Sequence, residues 1–284
     1  MIDLFTAMPP EVCKAQRAAY REYLRNRDGQ MDVQRRTLAR REQSIARFEQ
    51  APQRVREMDR QLFADQYVKF DPKRSTSAEA LLLLTLTKIN AAEAYGVGAA
   101  FAKAMKRAVA NDDDVEVNLL IEELYHTRIL LSSARLYGIE VEHAYTPPSS
   151  LRILISSVVH TPDLLAQPIT LCGEIIAVMW FSKMLRIAED VLKHDPELRD
   201  AIAERISEVL VDEIGHISFN RMHMSAGALA RTRMIFPMVA KGLLNVIPEL
   251  RAIGAANSDA TAELGLFTDP KGFPEFIRRQ AFFA

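Results

Sequence analysis

Two copies of one short pattern, Glu-x-x-His, occur in this chain, and each follows a separate segment that carries an isolated glutamate. Positions i and i+3 of a helix share one face, so the two residues of each copy can reach the same ion. Two such motifs, with one glutamate from each of two further helices, form dinuclear metal sites inside four-helix bundles. The pattern therefore predicts four helices that converge on six ligands. These are Glu93, Glu123, His126, Glu174, Glu213 and His216.

The isolated glutamates, Glu93 and Glu174, lie in sequence that is apolar or rich in small residues. Burying an ionised carboxylate without a partner is costly, so a cation has to compensate for it. Four carboxylates balance the charge of two divalent ions. Oxygen and nitrogen ligands with open positions suit iron or manganese better than zinc. We therefore predict a pair of such ions.

The composition predicts an all-α protein. Gly and Pro number only 11 and 13 in 284 residues, and Val, Ile and Thr rarely alternate with polar residues as they do in strands. We expect a single domain with a di-metal four-helix bundle core, a helical N-terminal extension and a C-terminal helix with a tail. These parts span 78–230, 1–75 and 231–284.

Four long helices are expected in the core, at about 78–110, 115–137, 169–193 and 196–230, and a further helix at about 236–253. A long connection separates the second core helix from the third. These lengths predict two antiparallel helix pairs joined by a crossover, the topology of ferritin-like bundles. Glu174 and Glu213 lie at similar distances in sequence from the turn between their helices, so they are expected at similar heights in the bundle. Glu93 lies farther from the first turn than Glu123 does, so the geometry of that pair is looser.

A second acid directly precedes each motif glutamate, at Glu122 and Asp212. Histidines that ligate metals usually donate their other ring N–H to a carboxylate or a carbonyl. We predict that Glu122 and Asp212 accept these hydrogen bonds, each from the histidine of the opposite motif. The alternative is that both are exposed carboxylates on helix surfaces.

Charge and cysteine content restrict the partners. The 36 Lys and Arg residues nearly cancel 37 Asp and Glu residues, which disfavours nucleic acid or an anionic membrane as a partner. No secretory signal is visible, and apolar runs such as 175–181 are short. Cys13 and Cys172 are too few for a disulfide framework. We expect a soluble, cytoplasmic protein, and the apolar C-terminal helix leaves a homodimer open.

With EELYH, DEIGH, Glu93 and Glu174, the segment 78–230 resembles the ferritin-like di-iron carboxylate superfamily. That superfamily includes multicomponent monooxygenases, acyl-carrier-protein desaturases, aldehyde-deformylating oxygenases and p-aminobenzoate N-oxygenases. The resemblance implies two iron ions, with manganese or a mixed pair as alternatives, that bind O₂ and oxidise an organic substrate. By position, Glu93, Glu123 and His126 would hold one iron. Glu174, Glu213 and His216 would hold the other, with Glu123 and Glu213 as bridges.

The sequence departs from several members of this superfamily. The position of the third histidine of the N-oxygenases is Val209, and the cysteine pairs of rubrerythrins are absent. The interval from Glu174 to Glu213 is longer than expected for aldehyde-deformylating enzymes. Hydroxylation, desaturation, N-oxidation and C–C cleavage therefore all stay open. Because no flavin or nicotinamide motif occurs, an external electron donor such as a ferredoxin or reductase is expected.

Residues one or two turns from the ligands are small or apolar, which favours a substrate pocket over an iron store; ordinary bundle core is the alternative. The favoured function is an O₂-dependent di-iron oxygenase or oxidase acting on a small or medium, largely apolar molecule. The alternatives are a ferroxidase or iron store, and a helical scaffold without catalysis. The predicted pocket residues are Gly96, Val97, Ala100, Leu119, Leu130, Phe181, Val209 and Phe219.

Overall fold

Helices supply all the regular secondary structure in the described part of the chain, as expected for an all-α protein. The computed structural model describes residues 3–26, 38–53, 60–111, 114–139, 149, 152, 153, 155, 163–255 and 270–284. The helices are α1 (Pro10–Asn26), α2 (Leu38–Gln50), α3 (Arg60–Val68), α4 (Ala78–Asn111), α5 (Asp114–Leu136), α6 (Asp163–Val191), α7 (Pro196–His223), α8 (Ala226–Val246), α9 (Glu249–Ala252) and α10 (Glu275–Gln280), with a 3₁₀ turn at Pro270–Gly272.

Helices α4 to α7 form the centre of the molecule as two pairs. Helix α4 packs along α5, and α6 packs along α7. Short turns join the helices within each pair, so each pair is antiparallel. Contacts of α5 with α7 and of α4 with α6 bring the pairs together, while α8 covers α6 and the N-terminal α1 and α2 pack on α7 and α5.

Local sequence signals set several helix ends as expected. The Ser77 hydroxyl accepts a hydrogen bond from the Ala80 amide at 3.2 Å at the start of α4. Gly138 follows the end of α5 with a φ of 66°, a left-handed backbone conformation that residues other than glycine rarely adopt. Asp195 caps α7 by accepting from the Leu198 amide at 3.1 Å, and Pro196 occupies the first turn.

Two predicted helix boundaries are wrong because packing overrides the local signal. The third core helix begins at Asp163, before Pro168, which is buried inside the helix. The fourth ends at His223, where Met224 is extended. Ser225 then starts α8 by accepting a hydrogen bond from the Ala228 amide at 3.2 Å, so the expected boundary at residue 230 falls within α8.

One segment, Ala166–Val191, is long and apolar enough to cross a membrane by length and composition alone, with a mean hydropathy of 1.4. It belongs to α6, which packs against α7 and α8. Because 67% of its apolar window is buried within the fold, it fits the core helix of a soluble protein.

Candidate metal centre

Three helices bring four of the predicted ligands into one compact group, which could hold a metal ion. Glu123 comes from α5, Glu174 from α6, and Glu213 and His216 from α7, and one ligand atom from each lies within 4.8 Å of the others. His216 Nδ1 is 2.9 Å from Glu123 Oε1 and 3.6 Å from Glu174 Oε2. Because Glu213 and His216 are one turn apart on α7, they face the same point.

The two remaining predicted ligands flank this group. His126 Nδ1 lies 3.2 Å from Glu213 Oε1 and 3.8 Å from Glu123 Oε2, and the His126 and His216 ring centroids are 5.9 Å apart. Glu93 borders the same cavity as Glu123 and interacts with its charge. All six predicted residues therefore meet in one region, with Glu93 at its edge.

Both histidines direct Nε2 away from the cluster of glutamates and Nδ1 toward it. His126 Nε2 is 3.0 Å from Asp212 Oδ2, and His216 Nε2 is 2.9 Å from Glu122 Oε2. An ionised carboxylate only accepts, so the Nε2–H of each ring donates, and the Nδ1 of each ring faces the glutamates, where a metal ion would take the place of a proton. The pairing crosses between the two motifs, which is the arrangement expected from the sequence.

Arg41 of α2 binds the two outer carboxylates, those of Asp212 and Glu122 that contact the histidines. It was not predicted from the sequence. Its guanidinium donates to Asp212 Oδ2 and Oδ1 at 2.8 and 2.9 Å, and to Glu122 Oε1 at 3.5 Å. The side chain is buried. A signal was available, because Arg41 shares the helical spacing of the inward-facing Ile45 and Phe48.

The electrostatics of the cluster show a shortage of positive charge. Burial, together with the neighbouring carboxylates, raises the pKa of Glu93 and of Glu213 well above the usual range. Burial opposes the charged form of His216, but hydrogen bonds to Glu122 and Glu123 raise its pKa well above the ordinary value. Burial also acts on Glu174, whose pKa is nevertheless lowered by its hydrogen bond with His216.

Buried atoms without hydrogen-bond partners test whether these residues fit a metal ion. Within the described residues, the buried atoms without a partner include Glu93 Oε2, His126 Nδ1 and Glu213 Oε2. Buried polar atoms normally find partners, and exceptions call for a missing one. All three belong to predicted ligands and carry lone pairs toward the cluster, so the residues fit a cation bound by oxygen and nitrogen.

A cavity of about 370 Å³ adjoins the cluster, and Glu93, Glu123, Glu174 and Glu213 form its polar end. The rest of the described lining is apolar apart from Thr170. Small residues on two helices leave the space open. The apolar lining includes Ala92 and Gly96 on α4, Gly173, Ala177 and Trp180 on α6, and Val239 on α8.

The predicted pocket residues occupy different places. Gly96 and Phe181 line the cavity, whereas Leu130 and Val209 are fully buried in the main core. Leu119 and Phe219 pack against another cluster, around Tyr20 of α1. The side chains of Val97 and Ala100 lie outside the described part of the structure. Residues of α8 that line the cavity, such as Val239 and Leu243, were missed because only the docking of α8 on α6 brings them there.

Comparison with known proteins finds no matching family model, no matching curated protein and no matching solved structure. Inference about function therefore rests on the geometry of the cluster and its cavity.

Proposed function

We propose that the protein is an O₂-dependent oxygenase or oxidase of the ferritin-like di-iron class, acting on a small or medium, largely apolar substrate. The observation that carries this proposal is the apolar cavity whose one polar end consists of four carboxylates of the metal cluster. A ferroxidase or an iron store would use similar ligands but has no need for an apolar chamber of this size beside them.

Two ions are proposed because the ligands divide into two similar sets. Glu93, Glu123 and His126 would hold one ion, and Glu174, Glu213 and His216 the other. Each set contains one imidazole whose Nδ1 faces inward while its Nε2 is bound to an outer carboxylate. Iron is favoured over zinc because the ligand set lacks sulfur and offers more than four donors.

When bound, the two ions would supply O₂ binding and electron transfer to O₂. Four electrons reduce O₂ fully; in hydroxylation or desaturation two come from the substrate and two from an external donor such as a ferredoxin or reductase. The chain itself would orient the imidazoles through Glu122 and Asp212, hold the substrate against Glu174, and limit water through the apolar lining. A cytoplasmic location is part of the proposal and is supported by the two free thiols, Cys13 and Cys172.

The test combines metal analysis with oxygen consumption. Protein purified without chelator and loaded anaerobically with Fe²⁺ is expected to keep two ions per chain. With a chemical reductant and a medium-length apolar probe, it is expected to consume O₂ over many turnovers. The variant His216→Ala should lose both properties, while His223→Ala, an exposed histidine at the end of the same helix, should keep them.

Two outcomes would contradict the proposal. Failure to retain metal after loading would favour a scaffold without catalysis. Oxygen consumption that stops once the added Fe²⁺ has been oxidised, whatever probe is present, would favour a ferroxidase.

A further inference from the structure

We infer that the cavity beside the metal cluster selects an electrically neutral molecule of mainly hydrocarbon character and rejects an anion of the same length. This inference deepens the proposed function, on which it rests for the identification of the ligand as a substrate. Binding itself requires neither O₂ nor electron transfer.

The charge of the lining provides the first argument. Every titratable side chain on the described lining is a carboxylate: Glu93, Glu123, Glu174 or Glu213. A carboxylate or phosphate bound in the protein without metal would therefore lose its hydration without gaining a counter-charge from the lining.

Two buried cations on the helices around the cluster pair with other carboxylates. Lys88 lies one turn before Ala92 on α4, but its Nζ lies 3.3 Å from Glu249 Oε1. Arg41 is held by Asp212 and Glu122 on the far side of the histidines. Neither is among the residues of the described lining, so neither can hold the head group of an anionic ligand there.

The size and shape of the space give the second argument. A volume of about 370 Å³ accommodates on the order of a dozen carbon-sized groups. Gly173 and Ala177 lie one turn apart on α6 and keep that side of the cavity clear. Trp180 and Phe181 close it with aromatic surface, which suits hydrocarbon better than a polar chain.

The proposed route into the cavity runs along α6. Thr170 is exposed and also lines the cavity, and we include an entry beside it in the inference. Glu174 is four residues further along α6, about 6 Å along the axis. A slender molecule entering beside Thr170 therefore meets the carboxylate end after a short path, with its remaining length along Gly173 and Ala177.

The chain contains a single tryptophan, Trp180, which lines the cavity and therefore reports on binding. The experiment titrates the full-length protein with 1-decanol and with decanoate at pH 8 under argon, and follows tryptophan fluorescence with calorimetry as a second readout. We expect 1-decanol to bind at least tenfold more tightly than decanoate in the protein without bound metal. Equal or tighter binding of decanoate would overturn the inference.

A matched pair of glycine variants locates the binding. A Cβ at Gly173 or at Gly242 meets nothing within 4 Å, so both helices tolerate a side chain there. Gly173→Leu places its side chain in the cavity and should weaken 1-decanol binding at least tenfold. Gly242→Leu, on the exposed face of α8, should leave binding unchanged. Ala177→Phe provides a second block, and melting curves verify that each variant folds.

Unchanged 1-decanol affinity in both folded cavity variants would place binding elsewhere and refute the inference. The argon titration is independent of the oxygen-consumption assay. If the charge preference is found but no O₂ is consumed, the proposed function fails and the cavity assignment stands. If O₂ is consumed over many turnovers but decanoate binds as well as 1-decanol, the function stands and the inference about charge fails.

Discussion

Arg41 and Asp212 are 171 residues apart in sequence, yet two guanidinium nitrogens of Arg41 lie 2.8 and 2.9 Å from the two carboxylate oxygens of Asp212. Asp212 accepts a hydrogen bond from His126, and the same guanidinium reaches Glu122, which accepts from His216. One buried cation of the N-terminal extension therefore orients both imidazoles. Arg41 therefore makes the extension part of the candidate metal centre.

Replacing Arg41 with glutamine should weaken metal binding about 10- to 100-fold, because both outer carboxylates lose the cation that holds them against the histidines. Competition with a chromophoric chelator measures the change. The adjacent Arg40→Gln is the matched control, since Arg40 is exposed and donates to Gln43. Equal metal affinity in the two variants would show that the contacts of Arg41 do not orient the ligands.

Metal binding should stabilise the fold, because the folded cluster offers ligands that the unfolded chain does not hold together. At a free ion concentration about 100 times the dissociation constant, the gain is about 2.7 kcal/mol. For a chain of this size that corresponds to a rise in Tm of roughly 4–5 °C. Differential scanning calorimetry should detect the rise in Glu189→Gln, an exposed carboxylate of α6, and a much smaller one in Glu174→Gln. A rise of the same size in both variants would show that the metal stabilises the fold without binding to the cluster.

The buried pair of Lys88 and Glu249 gives a prediction that does not depend on metal. Their charged atoms are 3.3 Å apart, and both side chains are almost fully buried. Lys88→Met alone should cost about 3–5 kcal/mol because it leaves Glu249 buried without a counter-charge. The double variant with Glu249→Met should be close to wild type or more stable.

Urea unfolding in a double-mutant cycle measures these terms. The exposed pair of Arg47 and Glu204 is the control, and its removal should cost less than about 1 kcal/mol. Additive losses for Lys88 and Glu249 would show that the two charges do not depend on each other.

The same pair predicts a pH dependence. Burial raises the pKa of Glu249 above its ordinary value of 4.5, although Lys88 counteracts part of that shift. The protonated carboxyl is therefore favoured in the fold, and its contribution is fully present below pH 4.5 and lost as pH rises through the folded pKa. Burial lowers the pKa of Lys88 from 10.5, so its contribution is present above that value and lost as pH falls through its folded pKa.

Between these two ranges both groups are charged, and the pair contributes least to stability. From pH 4.5 upward, wild type should therefore lose unfolding free energy relative to the double variant Lys88→Met/Glu249→Met. Unfolding curves at several pH values between 4 and 8 measure the difference. A difference that stays constant across this range would mean that the burial of Glu249 does not shift its titration.

Much of the local structure could be predicted from the chain. The three-residue spacing of Glu213 and His216 places both on one face of a helix whatever surrounds it, because that relation depends only on helical geometry. Caps such as Ser77 and Asp195 act within one turn and therefore also depend only on the local sequence. The crossed contacts of Glu122 and Asp212 with the histidines were predicted because a histidine that binds a metal through one ring nitrogen usually donates its other N–H to a carboxylate.

Helix ends that depend on neighbours were harder to predict. The helices expected to begin at about residues 169 and 236 begin earlier, and Pro168 and Pro237 lie inside them, because the apolar faces of α6 and α8 pack against each other and favour continuation. The break at Met224 and Ser225 carries only one weak local signal, a single serine cap. The sequence also predicts looser spacing of Glu93 and Glu123 about the first turn, and Glu93 is not among the four residues of the compact group.

The sequence by itself determined which residues share a helix face and therefore which side chains can act together as ligands. The tertiary structure alone decided that Arg41 reaches Asp212, and that Val239 of α8 meets Gly173 of α6 at one cavity. The physical reason is the range of the interactions. Helical periodicity repeats every few residues and can be recognised in any short segment. The docking of one helix on another depends on the whole apolar surface that the chain buries.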